Sequence, residues 1–162
     1  MDIRKAIKFL EKKIKNPSVG LPEEVFLFIS KITPMINVDL LIKDEKGRTL
    51  LSWRDDKYQK GWHVPGGIIR FKEKAETRIL KVAKQEIGAK IKFDHTPIAI
   101  YQLMAKQDTR GHFIYLLYKC FLSSRFPLKN RGLSSKDPGY LKWHDTCPSN
   151  LLKVQKIYRK YI

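Results

Sequence analysis

Two glutamates and two glycines stand at a spacing that could hold a divalent cation. The stretch Gly66-Gly67-Ile68-Ile69-Arg70-Phe71-Lys72-Glu73 precedes a segment with Ala75, Ile79, Val82, Ala83 and Ile87 at helical intervals, stopped by Gly88. Glu86 follows Ile79 by seven residues and so lies about 20° from it on the helix. A carboxylate is thereby placed on the inward apolar seam, where burial without a partner is costly. A bound cation resolves that conflict. Glu73 could fold back toward the same place, and the Gly66-Gly67 pair lets backbone carbonyls come close to an ion or a phosphate. Hard oxygen ligands of this kind suit Mg²⁺ or Mn²⁺. Singly, each glutamate has a plainer explanation, as a solvated loop residue or a cap paired with lysine. The four residues together are harder to explain that way.

These groups must be carried by elements that the hydrophobic pattern sets out. Ile3, Ile7, Leu10 and Ile14 predict a helix within Met1–Lys15, and a second helix runs from Pro22 at its first turn to about Lys31. A buried strand over Met35–Lys43 pairs as a hairpin with Thr49–Trp53 across Asp44-Glu45-Lys46-Gly47. A charged loop, Arg54–Gly61, leads into Trp62-His63-Val64-Pro65-Gly66-Gly67. The central helix spans Ala75–Ile87, and strands follow at Ile91–Phe93, Pro97–Met104 and His112–Ser123. Arg125–Asp137 reads as a loop, Tyr140–His144 as a last strand, and a C-terminal helix begins near Ser149. The order predicts an α+β domain, an α/β/α sandwich around a mixed sheet. Residues 1–32 form a helical extension, 33–145 the core and 149–162 the closing helix.

Composition sets wider bounds. The length of 162 residues fits one domain. Lysine and arginine exceed aspartate and glutamate by 33 − 16 = 17, and such a field draws phosphorylated ligands, nucleic acid or anionic membrane by long-range steering. The lysines are scattered, which equally fits a compositional bias. Cys120 and Cys147 lie far apart, which excludes a cysteine-rich zinc site and argues against a disulfide scaffold. Acid and base mix from the second residue, unlike a secretory signal, and no apolar run is long enough to span a bilayer. The expectation is a cytoplasmic, reduced protein with no membrane partner and no specific nucleic-acid partner.

The spacing from Gly67 to Ala89 resembles the Nudix box, in which Gly, five residues, Glu and seven residues lead to Arg-Glu-apolar-any-Glu-Glu-any-Gly-apolar. Here Gly67, Glu73, Lys81, Val82, Ala83, Gln85, Glu86, Gly88 and Ala89 occupy those positions. The resemblance spans about Thr33 to Trp143. Val82 and Gln85 stand where the family has glutamates, so it implies fewer bound metals and a base taken from elsewhere. A box with one helix glutamate is similar to the GDP-mannose mannosyl hydrolase branch, whose Thr-Pro matches Thr33-Pro34. The branch's strand aspartate matches Asp39, its post-strand arginine Arg54 and its catalytic histidine His112.

That resemblance implies a Nudix fold, metal at the Gly66 carbonyl and Glu86, with Glu73 upstream, and Mg²⁺-dependent hydrolysis of a nucleoside diphosphate linked to another group. A nucleotide sugar such as GDP-mannose, cleaved at the sugar carbon, is the expected substrate. His112 would accept the water's proton, since imidazole titrates near working pH. Arg54 would grip the diphosphate and Asp39 a sugar hydroxyl. Ile68 replaces a family arginine, with Arg70 two residues on as the candidate substitute. Trp53, Tyr58, Trp62 and Trp143 are candidates for stacking a base, against the commoner core role. The resemblance also implies a homodimer through the N-terminal helices. The alternatives are conventional Nudix pyrophosphate cleavage, which releases a nucleoside monophosphate, and a non-catalytic module that binds nucleotide or RNA.

Overall fold

The computed structural model describes residues 2–122 and 126–162, so the helix start expected at Met1, the strand end at Ser123 and the loop start at Arg125 lie outside the described residues. In chain order the elements are α1 (Ile3–Lys13), α2 (Glu23–Ile32), β1 (Met35–Ile42), β2 (Thr49–Asp55), β3 (Lys60–His63), β4 (Gly66–Ile68) and α3 (Ala75–Val82). They continue with β5 (Lys92–Phe93), β6 (Ala99–Met104), β7 (His112–Phe121), β8 (Leu141–His144) and a C-terminal 3₁₀ helix, Lys153–Tyr161.

β1 is apolar on both faces because both are covered, as an inner strand in parallel pairing requires. It pairs parallel with β7 from Met35 opposite Phe113 to Ile42 opposite Cys120, and antiparallel with β4 on its other side. β5 and β6 both pair antiparallel with β7, so this sheet is mixed, as expected. A second sheet, in the order β3-β2-β8, is antiparallel throughout. The strands expected to form a hairpin, β1 and β2, fall in different sheets. They touch through a single bridge, Lys43 to Thr49, and then part.

Two hydrophobic clusters fill the space between elements, and both sheets contribute to each. Val38, Leu40 and Ile42 of β1 meet Leu50, Leu141 and the apolar stripe Ile79, Val82, Ala83 and Ile87. The other face of β1 gives Leu41, which packs with Leu51, Trp62, Val64, Leu117 and Tyr158 of the 3₁₀ helix. Each aliphatic side chain wholly buried in this way contributes about 1.5–3 kcal/mol. The closing helix begins at Lys153, not Ser149, and is 3₁₀ in form. α1 buries no residue against the rest of the chain, whereas α2 buries Ser30.

The central helix keeps its expected span but changes form. After Val82 it widens into a π-turn, Ala83–Ile87, with the Gly88 amide donating to the Ala83 carbonyl at 2.9 Å. Gly88 then closes it in the left-handed region at φ 78°. A π-turn inserts one residue into the helical ladder. Ile87 thereby returns to the core while Gln85 and Glu86 face open space. β3 and β4, which the sequence pattern did not reveal, are three and four residues long in inverse order of appearance and flank Pro65; neither is long enough to show an alternating signature.

The 3₁₀ helix is docked by one buried amide. Gln155 accepts from the Val64 amide at 2.6 Å and donates to the Val64 carbonyl at 3.3 Å. A Gln155→Leu variant leaves both backbone groups buried and unpaired, a loss of roughly 1–3 kcal/mol for each unsatisfied group. The urea midpoint should fall accordingly at unchanged slope, and a midpoint equal to that of the parent protein would show that this contact does not hold the helix.

Candidate functional site

Along β1, Asn37 and Asp39 project from the same face, toward β4 and the C-terminal helix. Asp39 has no exposed surface. The Asn37 amide donates to its Oδ1 at 2.7 Å and the Tyr158 hydroxyl to its Oδ2 at 2.6 Å. Burial pushes the Asp39 carboxyl up to about 7, with the nearby Glu86 charge adding to the effect; Tyr158, Arg54 and Asn37 oppose it. Burial and the Asp39 charge also push the Tyr158 phenol well above its usual range, so it remains a donor. The approach of Asp39 to β4 requires a glycine there, since a Cβ on Gly66 would fall 1.8 Å from Oδ1.

The β1–β4 ladder also directs the Gly66 carbonyl. The Leu40 amide bonds Pro65 and the Ile69 amide bonds Ile36, which fixes Val38 and Gly67 as the hydrogen-bonded pair between them. Asp39 and Gly66 are therefore a non-bonded pair, and the Gly66 carbonyl points away from β1. The π-turn brings Glu86 to the same cleft, with its carboxylate 3.3 Å from Nε2 of His63. His63 is buried and its Nδ1 has no partner among the described residues. The cleft has a volume of about 280 Å³, and Asp39 and Glu86 are the carboxylates that line it.

Arginines form the rest of the wall. Arg54 leaves β2 with a loose ion pair to Asp56 at 3.6 Å. Arg70 holds a buried Nε with no partner among the described residues; burial, then repulsion from Arg78, lower its proton affinity. Arg78 and Arg110 also reach the cleft. An anion would relieve the arginines, and a cation would relieve the two carboxylates. Gly66, Glu86, Asp39, Arg54 and Arg70, all expected at the site, are thus brought together.

Two expected site residues are not. His112 begins β7, where Phe113 and Tyr115 line the cleft. Side chains alternate across a strand, so His112 projects from the opposite face. There it lies 2.9 Å from the Gln102 amide, outside the cleft lining. Parity places it there: His112 is one residue from Phe113 and three from Tyr115, both odd offsets, so it cannot share the face of those cleft-lining aromatics. Glu73 is also spoken for. Both its oxygens accept hydrogen bonds, from Lys81 at 2.8 Å on one side and from Arg78 and the Arg70 amide on the other. Its side chain is 4% exposed and does not line the cleft that holds Gly66 and Glu86. The carboxylate ties the loop to α3, where a free metal ligand had been expected.

The structure adds residues the sequence did not single out: His63, Arg78, Arg110 and Tyr158. His63 lies within the Trp62-His63-Val64 run, and only its pairing with Ser52 in the β2–β3 ladder reveals its direction. Tyr158 and Asp39 are 119 positions apart, a contact with no local signal. Val82, where a glutamate was to be expected, is an apolar lid over Gly67, whose added Cβ would lie 2.9 Å from the valine methyl. Of the aromatic candidates, Trp62 is core, packed edge-on against Trp53 at 5.2 Å and His144 at 4.5 Å. Trp53 and Trp143 pack against the two cores, and Tyr58 stays 43% exposed.

No family model matches the chain. A curated relative, the low-salt glycan biosynthesis protein Agl8 of Haloferax volcanii, is 31% identical over 77 residues, 47% of this chain and 49% of that protein. The chain thus spans about half the length of the relative it matches. Among solved structures it is similar to a MutT Nudix hydrolase from Burkholderia pseudomallei, with TM-score 0.61 and 19% identity over 80% of this chain and 98% of that one. A MutT protein from Methanosarcina mazei aligns with TM-score 0.56 and 18% identity over 80% and 91% of the two chains. A Nudix hydrolase from Nitrosomonas europaea gives 0.54 and 15% over 69% and 72%. These likenesses establish that the chain has the Nudix fold.

The Glu73 network makes a prediction about acid stability. Burial disfavours the Glu73 charge, but the Lys81 hydrogen bond, the Arg70 amide and Arg78 overcome it and hold the carboxyl at about 2. A carboxyl depressed on folding contributes stability above its unfolded value and loses it as pH falls through the folded one. That contribution should be complete above about pH 4.5 and vanish toward about pH 2. Thermal unfolding of Glu73→Gln should therefore show a lower Tm than the parent protein at pH 7, with the gap closing in that window. A gap independent of pH would assign the loss to packing alone.

Proposed function

We propose that the chain is a Mg²⁺-dependent hydrolase, with Mn²⁺ as a substitute, acting on a nucleoside diphosphate linked to a second group. The observation that carries this reading is the meeting, in one cleft, of Glu86, Asp39 and an outward Gly66 carbonyl with Arg54 and Arg70. Oxygen donors on one side suit a hard cation, and guanidinium donors on the other suit phosphate oxygens. The fit is to an ion shared with the substrate. Among the described residues no three His, Cys, Asp or Glu side chains cluster to enclose a metal, and Mg²⁺ commonly takes one or two carboxylates together with substrate phosphates and water. Glu86 and the Gly66 carbonyl would hold it. When bound, the ion supplies charge neutralisation on the diphosphate.

With His112 on the outer face, attack at a sugar carbon lacks its expected base, and cleavage at phosphorus is the better-supported route. The water oxygen bonds to phosphorus, the bridging P–O bond breaks, and the departing phosphate oxygen takes the electron pair. Asp39, the cleft carboxylate not assigned to the ion, takes the water's proton. Arg54 and Arg70 hold the charge that accumulates on the diphosphate oxygens. The products are a nucleoside monophosphate and the phosphorylated second group. The relative named for glycan biosynthesis supports a sugar as that group, which keeps nucleotide sugars, GDP-mannose among them, first on the substrate list.

Turnover of a nucleotide-sugar panel in ¹⁸O water tests this. Label should appear on a phosphate of the products, and Glu86→Gln should lose about 10²-fold or more in kcat through the missing oxygen ligand. Asp39→Asn should cost about 10²–10⁴, the usual contribution of a general base, while His112→Ala should stay within about twofold. Label on the free sugar, with a large loss in His112→Ala, would restore the sugar-carbon mechanism.

A further inference from the structure

Beyond the cleft lies a second basin, which opens from it through Gln107 and Arg110 and has a volume of about 500 Å³. Lys60, Lys153 and Arg110 line it, and no carboxylate does. Arg110 is the residue common to both spaces that carries charge. Its backbone is left-handed at φ 55°, a conformation rare for a residue with a side chain, and such strain persists only where neighbours enforce it. Ser30 of α2 accepts from the Arg110 amide at 2.9 Å, and the Gln107 amide donates to its carbonyl at 3.2 Å. The guanidinium lies 4.6 Å from the Tyr58 ring centroid and 5.8 Å from that of Phe26 in α2. Tyr58 is itself tied to α2 by its hydroxyl bond to Glu23.

Arg110 is thus fixed by its backbone and by two aromatic faces, while among the described residues no carboxylate pairs with it and no protein oxygen accepts from its guanidinium. A planar guanidinium stacked in this way keeps its edge donors free for a bidentate anion. We infer that Arg110 selects substrates whose second group carries an anion of its own, a carboxylate or a phosphate, and that α2 positions it for that task. This rests on the function proposed above, in that the diphosphate occupies the cleft and its distal group enters the basin. Lys60 is already paired with Asp55 at 2.6 Å, so a neutral hexose would leave Arg110 and Lys153 facing it without an ion-pair partner among the described residues.

The test uses matched ligands differing by one anionic group. UDP-glucose is set against UDP-glucuronate for the carboxylate, and ADP-ribose against ADP-ribose phosphorylated on its terminal ribose for the phosphate. Dissociation constants from calorimetry and kcat/KM are measured for each. The parent protein should favour the anionic member of at least one pair by about tenfold or more, the scale of one charge-assisted hydrogen bond. Arg110→Gln should abolish that preference, weakening the anionic member by at least about tenfold more than the neutral one. Ser30→Ala, which releases the Arg110 backbone, should narrow the preference and leave kcat on the neutral member unchanged. Lys153→Gln, at an exposed basin position, provides a second reading if Arg110→Gln folds poorly.

The two pairs distinguish carboxylate from phosphate recognition. Equal binding within both pairs by the parent protein would overturn the inference, as would an Arg110→Gln loss equal on both members. If no ligand is hydrolysed, the proposed hydrolase fails, and the binding constants still decide the selectivity: a preference removed by Arg110→Gln upholds it, and no preference refutes it.

Discussion

A carboxylate buried in the central strand organises this molecule. Asp39 has no exposed surface, and water is not there to solvate it. Its oxygens are instead met by Asn37 from two residues away and by Tyr158 from the last helix. A buried acceptor left unpaired costs more than the bond itself contributes, so the C-terminal helix must lie where its hydroxyl reaches β1. The same carboxylate forbids a side chain at Gly66, so β4 must carry a glycine where it comes close to β1. One polar residue in an apolar strand therefore sets the position of a helix, a glycine strand and the floor of the site. Its elevated pKa reports the cost of that arrangement, since burial and Glu86 both oppose the charge.

The sequence made the elements legible where periodicity was strong. The apolar runs of β1, β7 and the central helix stand within a residue or two of their expected bounds. A regular helix wheel puts Glu86 on the inward seam, and it reaches the cleft although the helix is not regular there. The π-turn explains how: an inserted residue separates Glu86 from the seam that Ile87 continues to fill. A 3.6-residue wheel cannot show this, because the insertion obeys no composition rule. The split between β1 and β2 was equally hidden. Two strands joined by a four-residue turn signal favour a hairpin, but both are buried on both faces and each finds a better partner in its own sheet.

The two misplaced residues failed for different physical reasons. The family resemblance implies His112 as the base, but strand parity against Phe113 and Tyr115 turns its side chain to the other face. Glu73, expected to fold back toward Gly66 and Gly67 as an upstream metal ligand, is instead held by cations and a backbone amide. Arg78 and Lys81 stand five and eight residues on, one and two turns into α3, where both can reach back to the same carboxylate. That spacing was visible in the sequence. Through Lys81 and Arg78 the loop that follows Gly66 and Gly67 is held to the helix that leads to Glu86.

The distribution of charge separates attraction from selection. A net charge of +17 draws any polyanion, and most of the lysines responsible are exposed and scattered. Such charges act at long range, are screened by salt within about 10 Å, and carry little geometric information. The arginines at the cleft are of another kind. Arg70 is partly desolvated, Arg78 is clamped by Glu73, and Arg110 lies against the rings of Tyr58 and Phe26. Each has lost freedom before a ligand arrives, so less entropy remains to be lost on binding. Arginine is the residue suited to this, since its fork keeps its orientation while its faces are packed. α2 would then serve the site as well as the fold: it buries little, yet its Glu23, Phe26 and Ser30 all bear on the two residues, Tyr58 and Arg110, that face the second basin. In the proposed function the scattered field would bring the anion in, and a few immobilised guanidinium groups would decide where it sits.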